Sequence, residues 1–250
     1  MSEGNFKDHF SKQAVDYAKY RPSYPEALFL FLKDLCQTRK LAWDGATGNG
    51  QAALSLVNYF DQVVASDASA QQLAQAKAHP RIDYRVEPAE KTSLLDASVD
   101  LVTVAQAIHW FKHDLFYQEV QRVIKSGGVL ALWVYGLHHI NDKIDPVTRD
   151  YYSKIVGPFW PPERKYIEEK LQTLPFPFKA IKTPKFFIDL EWDLEEALQY
   201  FRTWSATQKY QTYHQKDPVA LIEKDFSKAW GDPQKKNKVS WPLYLRVARL

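Results

Sequence analysis

The hydrophobic positions of the first 135 residues alternate between helically spaced stripes and short continuous runs. Leu28, Phe31, Leu32 and Leu35 recur at the spacing of one helix face, so a helix is predicted to begin near Pro25. The continuous runs predict strands, and the segments between them predict further helices. The predicted strands are 41–43, 63–66, 82–86, 101–105 and 129–134, and the predicted helices between them are 51–60, 71–78 and 113–124. This alternation predicts βαβ units, and therefore a parallel sheet with helices on both faces.

The pattern changes after Tyr135. Helical segments are predicted within 140–173, interrupted by Gly157-Pro158 and Pro161-Pro162, and again at 194–203 and 219–230. Strands are predicted at 186–190 and 243–247. Because an isolated last strand needs a sheet to pair with, we expect the second half to elaborate the same sheet. A single domain over 1–250 is therefore predicted.

The turn after the first predicted strand, Trp43–Gly50, is rich in glycine. A glycine-rich turn between a strand and a helix lets the backbone approach a ligand closely. The dinucleotide-binding pattern G-x-G-x-x-G is not met, because the glycines are Gly45, Gly48 and Gly50. Asp44 would repel a pyrophosphate, whereas a ligand with a cationic part would be attracted to it. A simple connecting turn is the alternative.

A second carboxylate, Asp67, ends the next predicted strand, 19 positions after Gly48. A carboxylate at this place in nucleotide-binding α/β folds accepts hydrogen bonds from ribose hydroxyls. An aspartate after a strand also serves as a turn former or a helix cap. The spacing favours ribose binding.

Five segments in order resemble the class I S-adenosylmethionine-dependent methyltransferases. They are 43–50, 63–68, 88–90, 100–107 and 125–128. The resemblance implies a doubly wound, mostly parallel seven-stranded α/β sheet with an antiparallel last strand and helical additions, and S-adenosyl-L-methionine as cofactor. The positions it assigns to cofactor binding are Tyr17, Tyr20, Arg21, Asp44, Gly45, Ala46, Thr47, Gly48, Asp67, Ala68, Ala89, Glu90, Gln106 and Ala107. Ala46 departs from the glycine of many relatives, which can tighten the turn without forbidding the cofactor.

Four further segments, 17–25, 106–111, 203–205 and 243–249, resemble the branch that contains trans-aconitate methyltransferase-like proteins and the fungal cantharidin methyltransferase. Some members of this branch methylate carboxylates of small acids, but the branch does not fix the acceptor. The resemblance implies that residues 1–27 form a lid and that 136–240 form a helical elaboration over an acceptor pocket. Arg21 in the lid is expected to hold an anion, either the acceptor or the carboxylate of the cofactor.

The acceptor site is predicted at the end of the fourth strand, where His109, Trp110 and Phe111 follow. Ligands of doubly wound folds bind beyond the carboxyl ends of the strands. A core aromatic cluster is the alternative interpretation. A carboxylate acceptor needs no base, whereas for a hydroxyl or an amine His109 is the candidate base. The predicted substrate-binding residues are Trp110, Tyr135 and Trp204, and aromatic rings of Tyr17, Tyr20 and Trp110 could face the sulfonium.

Composition narrows the classes of partner. The chain has 33 basic and 30 acidic residues, a net charge of +3, which argues against a nucleic-acid methyltransferase on the same fold. The longest uncharged apolar stretch, Val129–Leu137, is too short to span a bilayer, and the first residues do not resemble a signal peptide. With Cys36 as the only cysteine, we expect a cytoplasmic protein. A small-molecule acceptor is predicted, with the protein a monomer or homodimer.

Other activities have weaker support in the sequence. His109 and His113 lie four residues apart, but no third ligand accompanies them, so no metal site is predicted. A nicotinamide dehydrogenase lacks its glycine pattern. A cofactor-binding protein of the same fold without turnover remains an alternative to an enzyme.

Overall fold

A computed structural model of the protein describes residues 22–250. Three residues predicted to bind the cofactor, Tyr17, Tyr20 and Arg21, lie outside the described residues. In chain order the described strands are β1 (Leu41–Gly45), β2 (Gln62–Asp67), β3 (Ile82–Val86), β4 (Val99–Ala105), β5 (Ile124–Tyr135), β6 (Phe186–Trp192) and β7 (Asn237–Arg249). They form one sheet in the order β3-β2-β1-β4-β5-β7-β6.

The sheet is parallel from β3 to β5, and β7 joins β5 antiparallel. This confirms the prediction of a doubly wound, mostly parallel seven-stranded sheet with an antiparallel last strand. The described α-helices are α1 (Glu26–Leu35), α2 (Gln51–Leu56), α3 (Ala70–Leu73), α4 (His113–Val123), α5 (Asp145–Asp150), α6 (Lys165–Glu168), α7 (Leu194–Arg202), α8 (Ser205–His214) and α9 (Glu223–Trp230). A π-helical turn covers Tyr151–Ile155, and 3₁₀ turns cover Ile108–Trp110, Gly157–Phe159, Pro162–Arg164 and Pro218–Leu221.

The centre of the sheet is buried on both faces. In β4 every residue from Val99 to Val104 is buried, in agreement with the strand predicted at 101–105 without polar alternation. Helix α4 covers this region with Phe116, Val120 and Val123, which repeat at helical spacing and are completely buried. The order of the strands places β1 and β4 side by side, so their carboxyl ends meet at one edge of the sheet.

The opposite edge is fixed by Asp100 at the start of β4. Its side chain accepts hydrogen bonds from the backbone N–H groups of Lys40 (2.8 Å) and Leu41 (2.9 Å) and from Lys125 Nζ (2.7 Å). Although burial acts to raise it, the hydrogen bonds from Lys125 and Thr38 hold the pKa of Asp100 below its usual value. Asp100 therefore has a structural role, at the end of the sheet opposite the carboxyl ends of the parallel strands.

Several predicted boundaries differ from the structure. The predicted helix 51–60 ends at Leu56, and the region 140–173 consists of short helical pieces rather than long helices. The predicted break at 126–128 lies inside β5, whose pairing with β4 stops after Ile124 and resumes at Val129. Helix α8 was not predicted, because among its residues only Ala206 and Thr207 are buried and no apolar stripe marks it.

Packing divides the described chain into two compact units. The sheet unit comprises Ser23–Leu137, Glu163–Ile188 and Trp241–Leu250, and the aromatic unit comprises Pro22, His138–Pro162 and Asp189–Ser240. Strands β6 and β7 contribute residues to both units. The single domain over 1–250, with its lid 1–27 and its elaboration 136–240, stays a prediction.

The aromatic unit has a core of rings in edge-on and tilted contact. Phe201 packs against Trp204 at 4.9 Å between ring centroids, against Phe226 at 5.2 Å and against Tyr151 at 5.4 Å. The Tyr151 hydroxyl shares a 2.8 Å hydrogen bond with Thr207. This core gives the high aromatic content of the chain a structural explanation within this unit.

Cys36 follows the last turn of α1 and is buried, with 6% of its surface exposed. Its Sγ donates to the Leu32 carbonyl at 3.3 Å. Burial, with the charge of Asp100, raises the pKa of the thiol to about 12. Between residues 22 and 250 no helix is long and apolar enough to cross a membrane, and no group of three metal-ligating side chains occurs.

Candidate functional site

The loop that follows β1 is built on a buried carboxylate. Asp44 is completely buried and accepts hydrogen bonds from the Thr47 hydroxyl and, at 2.7 Å, from the Thr103 hydroxyl of the neighbouring strand β4. Every second residue of this loop has a positive φ: Ala46 at +52°, Gly48 at +60° and Gly50 at +82°. The backbone is thereby folded tightly over Asp44.

Burial raises the pKa of Asp44 to about 6, although the hydrogen bonds from Thr47 and Thr103 act to lower it. The negative charge of nearby Asp67 raises the pKa further. A cation bound beside Asp44 would favour the ionised carboxylate, whereas an anion would be repelled. The electrostatics therefore agree with the predicted preference for a cationic ligand.

Asp67 connects two loops at the end of β2. Its Oδ2 accepts the Gly48 N–H and its Oδ1 accepts the Ser69 N–H, each at 2.8 Å. Ser69 in turn caps α3 by accepting the Gln72 N–H. The turn-forming role is thus present, but each carboxylate oxygen has the capacity for more than one hydrogen bond, so hydroxyl donors can still be accommodated. Burial raises the pKa of Asp67.

The surface above Gly48 is open. A Cβ atom built on Gly48 would meet only the Gln72 side chain, at 3.7 Å. At Gly50, by contrast, a Cβ would lie 2.5 Å from the Tyr84 hydroxyl. Gly48 therefore leaves room for a ligand to approach the loop backbone, whereas Gly50 is required by packing. This geometry fits the cofactor that the glycine-rich turn predicts.

The predicted residues around the loop after β3 have mixed surroundings. Ala89 is buried in the core, and Ala68 is exposed beside Asp67. Glu90 accepts the Lys112 N–H at 2.9 Å and so fastens this loop to the segment before α4. Their contact with a cofactor stays a prediction.

Gln106 extends the pairing of β4 with β5. Its φ is +57°, and its side chain accepts the Tyr135 N–H at 2.8 Å and donates to the Tyr135 carbonyl at 3.2 Å. The amide of Gln106 therefore forms structural hydrogen bonds. Left-handed backbone in the non-glycine residues Ala46 and Gln106 places local strain at the carboxyl ends of β1 and β4, as is typical of ligand sites.

His109 lies in the 3₁₀ turn that follows β4, beyond buried Ala107. The His109 ring is 7% exposed, and its Nδ1 atom is buried without a hydrogen-bond partner among the described residues. The Trp110 ring packs against it at a tilt of 42°, with ring centroids 4.8 Å apart, and Trp110 is 41% exposed. Burial, together with the positive charges of Arg164 and His113, lowers the pKa of His109 to about 3.

The structure brings most of the predicted residues to one edge of the sheet unit. Asp44, Asp67, Gln106 and His109 all lie at the carboxyl ends of parallel strands. Tyr135 ends β5 and is buried. Trp204 belongs to the aromatic unit, where it is 5% exposed, and its predicted role toward a substrate stays a prediction.

One residue of the site was missed by the sequence analysis. Thr103 lies in the apolar run of β4 and donates its hydroxyl proton to Asp44. The available signal was a hydroxyl residue within a strand that is otherwise apolar, since a buried hydroxyl needs a partner.

Comparisons with known proteins agree with this geometry. Residues 43–132 match the family model described as a methyltransferase domain. A Dictyostelium discoideum protein named as a methyltransferase is 31% identical to this chain, over 98% of this chain and 95% of its own length. A Saccharomyces cerevisiae protein named as an S-adenosylmethionine-dependent methyltransferase is 33% identical over 49% of this chain and 45% of its own length.

A solved structure of a type II methyltransferase from Anaeromyxobacter dehalogenans superposes with a TM-score of 0.87 and 40% identity. The match covers 92% of this chain and 97% of that one. The fold, the glycine-rich turn and the near full-length relatives lead to one conclusion. The chain belongs to the class I methyltransferases, enzymes that use S-adenosylmethionine as the methyl donor.

Proposed function

We propose that this methyltransferase transfers the methyl group to the carboxylate of a small organic acid. The observation that carries the proposal is the burial of His109, which lowers its pKa to about 3. An imidazole of such low basicity is poorly matched to removing a proton from a hydroxyl or an amine near neutral pH. A carboxylate is already ionised at that pH and needs no base.

Electrostatics around His109 also favour an anionic acceptor. The positive charge of Arg164 acts on His109. The exposed face of Trp110 offers an apolar surface beside these groups for the carbon skeleton of an acid. The near balance of 33 basic and 30 acidic residues favours a small acid over a nucleic acid.

The residues proposed to hold the cofactor are those of the β1 and β2 ends. Asp44 would balance positive charge, the loop at Gly48 would contact the ligand through its backbone, and Asp67 would accept ribose hydroxyls. Bound there, S-adenosylmethionine supplies the sulfonium methyl group. The protein supplies alignment, since an in-line displacement depends chiefly on holding the reacting atoms in register.

The remaining assignments complete the proposal. The sequence resemblance assigns Tyr17, Tyr20 and Arg21 to cofactor binding, and Tyr135 and Trp204 are its candidates for acceptor binding. The single, buried cysteine suits a reducing compartment such as the cytoplasm.

The proposal is tested with S-adenosylmethionine carrying a labelled methyl group and a panel of small acids. Each acid is paired with its alcohol and amide analogues as matched controls. We expect label in products from acids only, and release of that label as methanol in mild alkali, because methyl esters hydrolyse where methyl ethers and methylamines do not. Alkali-stable label, or equal labelling of the alcohols, would show that the acceptor is not a carboxylate.

A further inference from the structure

The side chain of His109 presents its two nitrogens to different surroundings. Nδ1 is enclosed and has no hydrogen-bond partner among the described residues, whereas Nε2 is not enclosed in this way. His109 lies in a 3₁₀ turn, Ile108–Trp110, and its ring packs against the tilted ring of Trp110. Its orientation is therefore fixed by packing, with one nitrogen inside the protein and the other toward the accessible side.

Burial keeps this ring neutral, and the groups around it act in the same direction. The charged or titratable groups that act on it are Arg164, at the end of the 3₁₀ turn Pro162–Arg164, and His113, the first residue of α4. His113 is itself engaged with the Ile108 carbonyl, 3.0 Å from its Nε2. Both neighbours disfavour a second positive charge, so an imidazolium would gain no compensating partner.

A neutral imidazole carries one N–H donor and one lone-pair acceptor, and burial decides which nitrogen has the proton. An enclosed N–H without an acceptor is rarer and more costly than an enclosed lone pair without a donor. The proton therefore belongs on Nε2, and the enclosed Nδ1 keeps the lone pair. His109 consequently offers a hydrogen-bond donor on its accessible side.

We propose that His109 binds the acceptor by donating its Nε2–H to one carboxylate oxygen, leaving the other oxygen free as the nucleophile. This inference rests on the proposed function. In the reaction, a lone pair of the free oxygen forms the new O–CH₃ bond while the S–CH₃ bond breaks and its electron pair stays on sulfur. The products are a methyl ester and S-adenosylhomocysteine, and no proton moves. His109 is thus a substrate-binding donor, and the role as a base, which was expected only for a hydroxyl or amine acceptor, does not arise.

The tautomer is tested first, on the whole protein without added ligands. In protein labelled with ¹⁵N-histidine, the signals of His109 are assigned by their absence from His109→Gln. We expect Nε2 to be protonated, Nδ1 to be unprotonated, and neither to titrate between about pH 5 and about pH 8, the range in which an ordinary histidine titrates. A protonated Nδ1, or titration near the ordinary histidine value, would overturn the inference.

Kinetics then test the donor itself with an acid that the panel has identified. His109→Gln keeps an N–H near the position of Nε2, and His109→Leu keeps none. We expect the acceptor KM to rise by about ten- to hundredfold in His109→Leu, as for loss of a hydrogen bond to a charged group, and by only a few-fold in His109→Gln. S-adenosylmethionine affinity should stay unchanged in both variants, which also shows that they are folded.

The two proposals fail in different ways. If no acid is methylated, the proposed function fails and the donor role fails with it. If an acid is methylated but His109→Gln is as impaired as His109→Leu, the acid assignment stands and the donor role of His109 is overturned. His214→Gln, in an exposed residue of α8, is the matched control and should behave as wild type.

Discussion

At the scale of single residues, Asp67 shows how one carboxylate joins structure to ligand binding. It accepts the backbone N–H groups of Gly48 and Ser69, and so holds the loops after β1 and β2 together. Its remaining lone pairs lie at the edge of the sheet where we propose that the cofactor binds. Loss of the side chain therefore affects both the shape of the loops and the affinity for the cofactor.

Asp67→Ala is expected to weaken S-adenosylmethionine binding by about tenfold to a hundredfold, because charge-assisted hydrogen bonds contribute about 1.5–3 kcal/mol each. Asp67→Asn, which keeps one acceptor oxygen, should fall between this variant and wild type. Isothermal calorimetry measures both affinities, and circular dichroism checks folding. Wild-type affinity in folded Asp67→Ala would exclude the ribose assignment.

Gly48 and Gly50 form a second residue-scale comparison, since both have positive φ but different surroundings. Gly50→Ala should lower the free energy of unfolding by about 1–2 kcal/mol for the backbone alone, with more from the clash with Tyr84. Gly48→Ala should carry the backbone cost without the clash, and should lose more cofactor affinity than its stability change explains. Urea unfolding and calorimetry separate these effects. Equal stability losses in the two variants would contradict the packing difference.

At the scale of elements, helix α7 shows how local sequence fixes a helix start. Asp193 accepts the Glu196 N–H at 3.0 Å, and Glu196 accepts the Asp193 N–H at 2.9 Å, which is a complete capping box. The helix that begins there carries Tyr200 and Phe201 into the aromatic core. The start of this helix is therefore tied to the packing of that unit.

Asp193→Ala is expected to lower the free energy of unfolding by about 1 kcal/mol, the usual effect of removing an N-cap. Asp193→Ser keeps an oxygen that can accept the Glu196 N–H, so it should recover most of this loss. Chemical denaturation of the two variants beside wild type gives the comparison. If serine is no better than alanine, the cap contributes little to this helix.

Elements buried on both faces could be predicted from the sequence, because burial requires unbroken apolar runs such as Leu101–Ala105. Asp44 and Asp67 could be predicted as well, because they directly follow the runs 41–43 and 63–66. Helix α8 could not be predicted, since it buries too few residues to leave a periodic pattern. The pairing of Gln106 with the Tyr135 backbone depends on a contact between residues 29 positions apart, which no local pattern encodes.

At the scale of the whole molecule, buried titratable groups make stability depend on pH. Burial lowers the pKa of His109 to about 3 and that of His138 to about 4, and raises that of Asp44 to about 6. For both histidines the unfolded chain binds more protons below the ordinary histidine pKa, so their contribution to stability is lost as the pH falls. For Asp44 the folded chain binds more protons, so its contribution changes in the opposite direction.

The two histidines, together with Asp100 and its lowered pKa, act against Asp44 and Asp67, whose pKa values burial raises, so we expect the free energy of unfolding to fall from about pH 7 to about pH 4.5. His138→Phe removes one of these titrations while keeping a ring to stack on Phe201, its neighbour at 5.7 Å. The loss between the two pH values should therefore be smaller in this variant than in wild type. Urea unfolding at both pH values measures the difference. An identical loss would show that His138 does not contribute to the acid sensitivity.

The buried thiol of Cys36 makes the local opening of the protein measurable, through the rate at which the thiol reacts. Only a thiolate attacks an electrophilic reagent, and a thiol with a pKa of about 12 supplies almost none while it stays enclosed. Labelling by a disulfide reagent must therefore wait until the end of α1 opens, and its rate reports how often that happens. We expect labelling far slower than for a free cysteine, accelerating to that rate in denaturant. Fast labelling of the native protein would mean that this end of the helix opens readily. Because Cys36 is the only cysteine of the chain, each labelling event reports an opening at the end of α1.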